Sequence, residues 1–455
     1  MFSRLLLISI FSFLVADVGI AQTRPNFIVF VADDMSWEDC GAYGHPKIQT
    51  PNMDRLTQEG MRFDAAFLTC SSCSPSRCSM LTGRYPHSTG ANELHQPLPA
   101  DQLLFTTPLN NAGYFTASAG KWHLGNPAKS QFDLVKEGGG PGGEGHWVNV
   151  LKERPKDQPF FFWFAAIDPH RGYQPGAIPE PHQSADVVVP PIFPDTPEVR
   201  DDLALYYDEI SRFDASIGAI VAELRDQGIL DQTFLLVVTD NGRPFPRCKT
   251  RVNVDGVKTP FIVRYPPIIK AGTTTQSIVS SIDIGPTILD LAGVKSPPSL
   301  QGVSIQPVLT DPTASVREFA FAEHNWHDYR AFERAVITEE YLLIRNWLPD
   351  LQGTPPADAV RSPTYREMTR LYEAGELKPQ LAPLFETPRP EVELYQWQQD
   401  LNCLNDLAHE SASRVKKQQL LQVLKRWQDQ TSDVFPGSNQ LTPDRFDRVT
   451  GQRLK

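Results

Sequence analysis

Three runs along the chain are apolar at every position and then stop abruptly on polar residues. Phe27-Ile28-Val29-Phe30-Val31-Ala32 stops at Asp33-Asp34, and Phe160 to Ile167 stops at Asp168-Pro169-His170. Phe234-Leu235-Leu236-Val237-Val238 stops at Thr239-Asp240-Asn241-Gly242. Apolar character on both faces, without alternation, is the pattern of strands buried in a parallel sheet. A fourth segment, Tyr114 to Ala119, leads into Gly120-Lys121-Trp122-His123-Leu124-Gly125. Ligands of open α/β sheets gather beyond the carboxyl ends of the strands, so these runs predict one sheet edge carrying Asp, Asn, Lys and His. Between them, Leu203, Tyr206, Ile210, Phe213, Ile217, Ile220 and Leu224 recur every three or four residues, the stripe of an amphipathic helix. Thr196-Pro197 offers its start and Gly228 its stop. Strands alternating with helices predict an α/β domain.

The texture changes after residue 318. Arg334 to Ile337 and Tyr341 to Arg345 read as a hairpin, Val392 to Trp397 as a further strand and Ser411 to Gln428 as a helix. A Pro-rich polar stretch over 349–390 between them reads as a long surface excursion. The expected organisation is therefore a catalytic α/β domain over 22–318 and a smaller α+β domain over 319–455, with no internal repeat. A chain of 455 residues, 40% hydrophobic and 21% charged, can fill both cores. Its formal net charge of −11 argues against a nucleic-acid partner and requires any anionic substrate to be gripped by a local cationic pocket.

Arg4 followed by the apolar run from Leu5 to Val15, then Gly19-Ile20-Ala21, has the form of a secretory signal peptide over 1–21. That run is shorter than the roughly 20 residues needed to span a bilayer, so the expectation is an exported protein without stable membrane insertion. The chain holds no Asn-x-Ser/Thr acceptor, which favours a bacterial periplasmic or secreted origin. Of six cysteines, Cys40, Cys70, Cys78, Cys248 and Cys403 are expected to be structural or free. Cys73 differs: Pro75 suits a first helical turn and Gly83 a helix end, which puts Cys73 at a helix N-terminus. Free backbone N–H groups there suit an anion and are expected to lower a thiol's pKa.

Cys73-Ser74-Pro75-Ser76-Arg77, followed by Leu81-Thr82-Gly83-Arg84, resembles the maturation signature of the type I, formylglycine-dependent sulfatases of the alkaline-phosphatase superfamily. Asp33-Asp34, Gly120-Lys121-Trp122-His123, Asp168-Pro169-His170 and Asp240-Asn241-Gly242 stand in that family's order. The resemblance is stronger to its heparan N-sulfatase (sulfamidase) group, through Leu94-His95-Gln96, Asp168-Pro169-His170-Arg171, Val189 through Pro197, and Asp240 through Pro246. Two departures bear on N- against O-sulfate preference. Met35-Ser36-Trp37-Glu38 replaces a Gly-Gly-Phe-Glu form, and Lys249 stands where that group tends to place Arg.

The chemistry of the residues puts a divalent ion on the hard oxygens of Asp33, Asp34, Asp240 and Asn241. The resemblance adds the oxygen of a modified Cys73, Ca²⁺ with Mg²⁺ as the alternative, and an alkaline-phosphatase-like, mostly parallel sheet with helices on both faces. It further implies that a separate formylglycine-generating enzyme converts Cys73. Arg77 would hold the modified residue, Lys121, Lys249 and His170 would neutralise the sulfate, His170 would protonate the leaving group and His123 would take a proton in return. His95, Arg171, His324, His327 and Arg330, with Glu38, are candidate sugar contacts, since Trp326 and Tyr329 among polar groups suit a pyranose ring. The expected partner is a sulfated saccharide, and a homodimer is a candidate assembly. An O-sulfatase on an ulvan- or fucan-type polysaccharide, a phosphoester or phosphonate hydrolase, and a non-enzymatic glycan binder are the competing functions.

Overall fold

The strand Asn26–Ala32 (β1) is buried at all seven positions because it lies in the middle of an eight-stranded sheet. The other strands are Met61–Phe63 (β2), Phe115–Gly120 (β3), Leu134–Glu137 (β4), Phe160–Ala165 (β5), Thr233–Thr239 (β6), Ile262–Arg264 (β7) and Thr273–Thr275 (β8). Their spatial order is β4-β3-β5-β1-β6-β7-β2-β8, and only β7 runs against its neighbours. This is a computed structural model describing residues 24–435, 442, 444–447 and 452–453, so the expected signal peptide lies outside the described residues.

Alternate residues of β1 feed two cores. Phe27, Val29 and Val31 join one cluster, with Cys78, Met80 and Leu81 of the helix Cys73–Thr82 (α1). Ile28, Phe30 and Ala32 join the other, with Trp147, Val150 and Leu151 of Trp147–Glu153 (α2) and the stripe of Pro197–Asp226 (α3). Helices therefore cover both faces, and each fully buried Phe or Val stabilises the sheet by about 1.5–3 kcal/mol. α3 begins at Pro197 after an extended Thr196 and ends just before Gly228, whose φ of 69° breaks the helix. On the first face, Ile284, Ile288 and Leu289 of Ile284–Leu291 (α4) complete the cluster.

A second, antiparallel sheet of Ala320–His324 (β9), Glu333–Ile337 (β10), Leu342–Asn346 (β11) and Val392–Tyr395 (β12) follows in that order. It is joined to the first half by the Glu323 N–H, which donates to the Thr69 carbonyl at 2.8 Å, just upstream of α1. The segment expected as a surface excursion is instead partly core. It contains the helix Pro363–Glu373 (α5), capped by Ser362 Oγ accepting from the Tyr365 N–H, and it buries Met368, Leu381 and Leu384 beside α3. Proline there serves as a first-turn residue, which composition alone reads as a loop. The final long helix, Arg414–Thr431 (α6), lays Leu420, Leu424 and Trp427 on the second sheet. All six cysteines are buried and free.

Gly120 closes β3 at φ 101°, where a Cβ would stand 1.9 Å from the Ala165 carbonyl oxygen of β5. The next residue, Lys121, anchors its own N–H on that same oxygen at 2.8 Å. Gly120→Ala is expected to destabilise the protein by about 2–4 kcal/mol through strain and crowding, read as a fall in the urea midpoint. An unchanged midpoint would show that the close approach of β3 and β5 is not needed.

Candidate active site

The carboxyl end of β1 delivers Asp33 and Asp34, and the carboxyl end of β6 delivers Asp240 and Asn241, all fully buried. The ladder runs one step past each strand: the Asp33 N–H donates to the Asp168 carbonyl at 2.8 Å and the Asp240 N–H to the Ala32 carbonyl at 3.1 Å. Asp34 then turns at φ 74°, and its N–H donates to Asp240 Oδ1 at 3.2 Å. Cys73, the first residue of α1, completes the group. Ligand atoms of Asp33, Asp34, Cys73 and Asp240 all lie within 4.8 Å of one another. His95, His123 and Thr250 also take left-handed backbone (φ 63°, 59° and 66°), so strained positions collect around this edge.

Each buried carboxylate has its own cation. Lys121 Nζ donates to Asp33, Lys249 Nζ to Asp34 Oδ2 at 2.7 Å and Arg77 Nε to Asp240 Oδ2 at 2.7 Å. Arg77 Nη1 also donates to the Lys121 carbonyl at 2.9 Å, tying two of these cations together. Burial alone would raise Asp33, but Lys121, His170, Arg77 and Lys249 outweigh it and hold that carboxyl far below the usual range. Asp240 is pushed up to about 7, because burial and the neighbouring Asp33 exceed the pull of Arg77. Burial would lower both lysines, yet Asp33 keeps Lys121 raised and Asp34 keeps Lys249 raised. Asp33 Oδ1 and Asn241 Oδ1 are buried acceptors without a hydrogen-bond partner. Unpartnered hard oxygens inside a carboxylate cluster fit a divalent cation, and this buried acidic cluster could hold one.

The expectation of an acidified thiol does not hold. Cys73 is 2% exposed, and burial pushes its thiol well above the ordinary value despite Lys121 and Lys249 nearby. Desolvation of a thiolate outweighs the helix N-terminus here. The S–H instead donates to Asp34 Oδ1 across 3.7 Å.

Around this centre the structure brings together His123, His170, Lys121 and Lys249. His123 is drawn down to about 2, first by burial and then by Lys121 and Arg77, so the imidazole is neutral. Its ring stands 5.2 Å from that of His95, which is half exposed at the rim. His170 Nε2 lies 3.9 Å from Asp34 Oδ2 and 3.7 Å from Asp358 Oδ2. His327 is buried, with Nδ1 2.8 Å from Ser72 Oγ, beside Cys73. Next to it a cleft of about 400 Å³ opens between Trp326, Asp328, Tyr329, Arg330, Gln352 and Thr354.

Other candidates are engaged elsewhere. Arg171 donates to both oxygens of Asp202 at 2.7 and 2.9 Å and to the Pro244 carbonyl at 2.6 Å, bracing the loop after β6. His324 is buried against Glu333 of β10, with 3.5 Å between Nδ1 and Oε2. Glu38 pairs with Arg243, which also holds Asp39 at 3.0 Å. Asp358 was not anticipated: its Oδ2 accepts from Lys249 Nζ at 3.0 Å. Burial would raise it, but Lys249 and His170 keep it far below the usual carboxylate range. It sits in the Pro-rich segment, with no motif or periodicity to mark it.

The chain matches the family described as Sulfatase over residues 25–140 and 146–294, and the one described as N-sulphoglucosamine sulphohydrolase, C-terminal, over residues 249–387. It is 30% identical to the human protein named N-sulphoglucosamine sulphohydrolase, covering 92% of this chain and 93% of that one. It is 28% identical to an ulvan-active sulfatase of Formosa agariphila, covering 89% of this chain and 74% of that one. Among solved structures, one described as in complex with its substrate D-glucosamine-2-N,6-O-disulfate shares the fold. The TM-score is 0.69 at 22% identity, over 92% of this chain and all of the other.

Arg77 is fully buried between Asp240 and Asp33, so Arg77→Ala leaves Asp240 without its cation, while Asp33 keeps Lys121. It is expected to lower unfolding free energy by about 3–5 kcal/mol. Chemical denaturation of the purified variant checks this, and a loss below about 1 kcal/mol would mean another cation takes over the cluster.

Proposed function

The chain belongs to the sulfatase family, and from that premise we propose that it releases inorganic sulfate from a sulfated glycan, with the N-sulfate of a glucosamine residue as the preferred group. The observation that carries this is the meeting of a buried three-carboxylate cluster with Cys73 at the start of α1 under Arg77, Lys121 and Lys249. Charge supports it. With Asp240 ionised by the incoming ion, three cluster carboxylates and Asp358 would face three permanent cations; the divalent ion would tip the site positive, and a monoanionic sulfuryl group would restore neutrality.

Conversion of Cys73 to formylglycine, hydrated by one water, would supply the attacking hydroxyl, and Ca²⁺, with Mg²⁺ as the alternative, would be held by Asp33, Asp34, Asp240, Asn241 and residue 73 and would supply Lewis-acid polarisation. The rest is the work of side chains present in the chain. Lys121 and Lys249 neutralise the sulfuryl oxygens, and Arg77 orients residue 73 through its hold on Asp240. His170, about one-third exposed at the mouth, gives a proton to the leaving group. His123, neutral and half-buried with its Nδ1 unpartnered, accepts a proton at its imidazole when sulfate departs.

The sulfamate preference is supported by the match over 249–387 and by the human relative that shares 30% of its residues. The ulvan-active relative and the Met35–Glu38 segment favour the second reading, an O-sulfate of another polysaccharide. The cleft of Trp326, Tyr329 and Arg330, bordered by His327, is the sugar site in either case. No helix among the described residues is long and apolar enough to cross a membrane, and export is proposed from the N-terminal sequence.

Protein co-expressed with a formylglycine-generating enzyme is expected to release sulfate from N-sulfoglucosamine in preference to 6-O-sulfoglucosamine and to ulvan or fucan oligosaccharides. Cys73→Ala is expected to unfold cooperatively near the wild-type midpoint and to release none; turnover by that variant would sink the mechanism. Separately, Ca²⁺ added to chelator-treated protein is expected to stabilise it by about 2.7 kcal/mol at a hundredfold excess over its Kd, read as a rise in melting temperature. Asp240→Asn should remove that increment, and an equal increment in the variant would place the ion elsewhere.

A further inference from the structure

Asp358 has the wrong sign for a place among sulfate-binding cations. It stands on the short helix Ala357–Val360, which is fixed by the Ala357 N–H donating to Asp328 Oδ2 at 2.7 Å. Its Oδ1 accepts from the Ala359 N–H at 2.7 Å. Its Oδ2 accepts from Lys249 Nζ at 3.0 Å and lies 3.7 Å from His170 Nε2, and only 14% of the side chain is exposed. Lys249 does not need it as a counter-ion, because Asp34 Oδ2 already accepts from the same Nζ at 2.7 Å.

A carboxylate here weakens the pull of Lys249 and His170 on any anion, so its use must lie with another part of the substrate. The part that passes His170 is the atom leaving sulfur. In a sulfate ester that atom is an oxygen with lone pairs and no hydrogen. In a sulfamate it is a nitrogen bearing one N–H. A carboxylate only accepts, so it repels the first and forms a charge-assisted hydrogen bond with the second.

We propose that Asp358 is the residue by which this site selects sulfamate nitrogen over ester oxygen, its carboxylate accepting the substrate N–H while His170 serves the same nitrogen as acid. This rests on the sulfatase reading of the site and extends it to the leaving group. As the S–N bond breaks, its electron pair goes to nitrogen, which keeps its own hydrogen, takes the proton of His170 and departs as a primary amine. Sulfur bonds to the attacking oxygen, whose O–H proton passes to Asp34 Oδ1, the atom that accepts the S–H of residue 73, and nothing is oxidised or reduced. Selection by a buried partner left unpaired in the wrong substrate is an effective form of discrimination.

The test compares kcat/KM for N-sulfoglucosamine and for 6-O-sulfoglucosamine in matured wild type, Asp358→Asn and Asp358→Ser, with inhibition by inorganic sulfate measured alongside. The ratio of N- to O-sulfate turnover is expected to fall roughly 10–100-fold in the variants, the loss of one hydrogen bond to a charged group. Inhibition by sulfate is expected to hold or tighten. An unmoved ratio, or equal losses on both sugars with weaker sulfate inhibition, would overturn the proposal and leave Asp358 as a support for Lys249. Wild type active only on the O-sulfated sugar would overturn it while leaving a sulfatase; wild type inactive on every sugar would overturn both. Cooperative melting verifies each variant, and the near-isosteric Asn decides the matter if Ser does not fold.

Discussion

Everything at the functional edge depends on keeping three carboxylates ionised or shared within a few ångströms of one another, out of water. Like charges at that spacing repel strongly when buried, and desolvation adds to the cost. The structure answers with one cation per acid: Lys121 on Asp33, Lys249 on Asp34 and Arg77 on Asp240. Those cations come from three different places in the chain: the end of β3, the loop after β6 and the middle of α1. The cluster therefore forms only when sheet, helix and loop are in place together. It also explains why α1 is buried along its whole length rather than amphipathic. The guanidinium of Arg77 must pass between sheet and helix to reach both acids.

Much of this was legible in the sequence. β1, β5 and β6 read correctly because a strand buried on both faces has no alternation to disguise it. α3 read correctly because seven apolar residues hold one stripe between a Thr-Pro start and a glycine stop. The acids and His170 read correctly as edge groups because each follows a strand directly. What was hidden depends on long-range packing. Asp358 lies about a hundred residues beyond Lys249, in a segment whose prolines suggest a loop, and only the burial of Met368 and Leu381 against α3 brings it home. The thiol of Cys73 was misjudged because the helix N-terminus is visible in sequence and the depth of burial is not. Arg171 lay inside a recognisable motif, yet its guanidinium faces Asp202 on α3.

On the proposed reading, the acidic molecule as a whole and a centre made positive by its divalent ion would divide the work of recognition. With a formal charge of −11 the molecule repels a polyanionic glycan at a distance, and screening by salt eases that approach. On the proposed reading, attraction would begin only inside, where Lys121, Lys249 and His170 would meet one sulfuryl group.

The depth of Cys73 also sets an order of events. At 2% exposure, at the start of a helix with no exposed residue, its sulfur cannot enter the active site of another protein once the fold has closed around it. On the proposed reading, maturation is a race against folding. An oxidising enzyme would then have to take residues 73–84 as an extended peptide, before the chain folds. A copy that folded first would keep its thiol and, on that reading, would be silent. The active fraction of any preparation is then fixed by relative rates in biogenesis rather than by the stability of the finished protein.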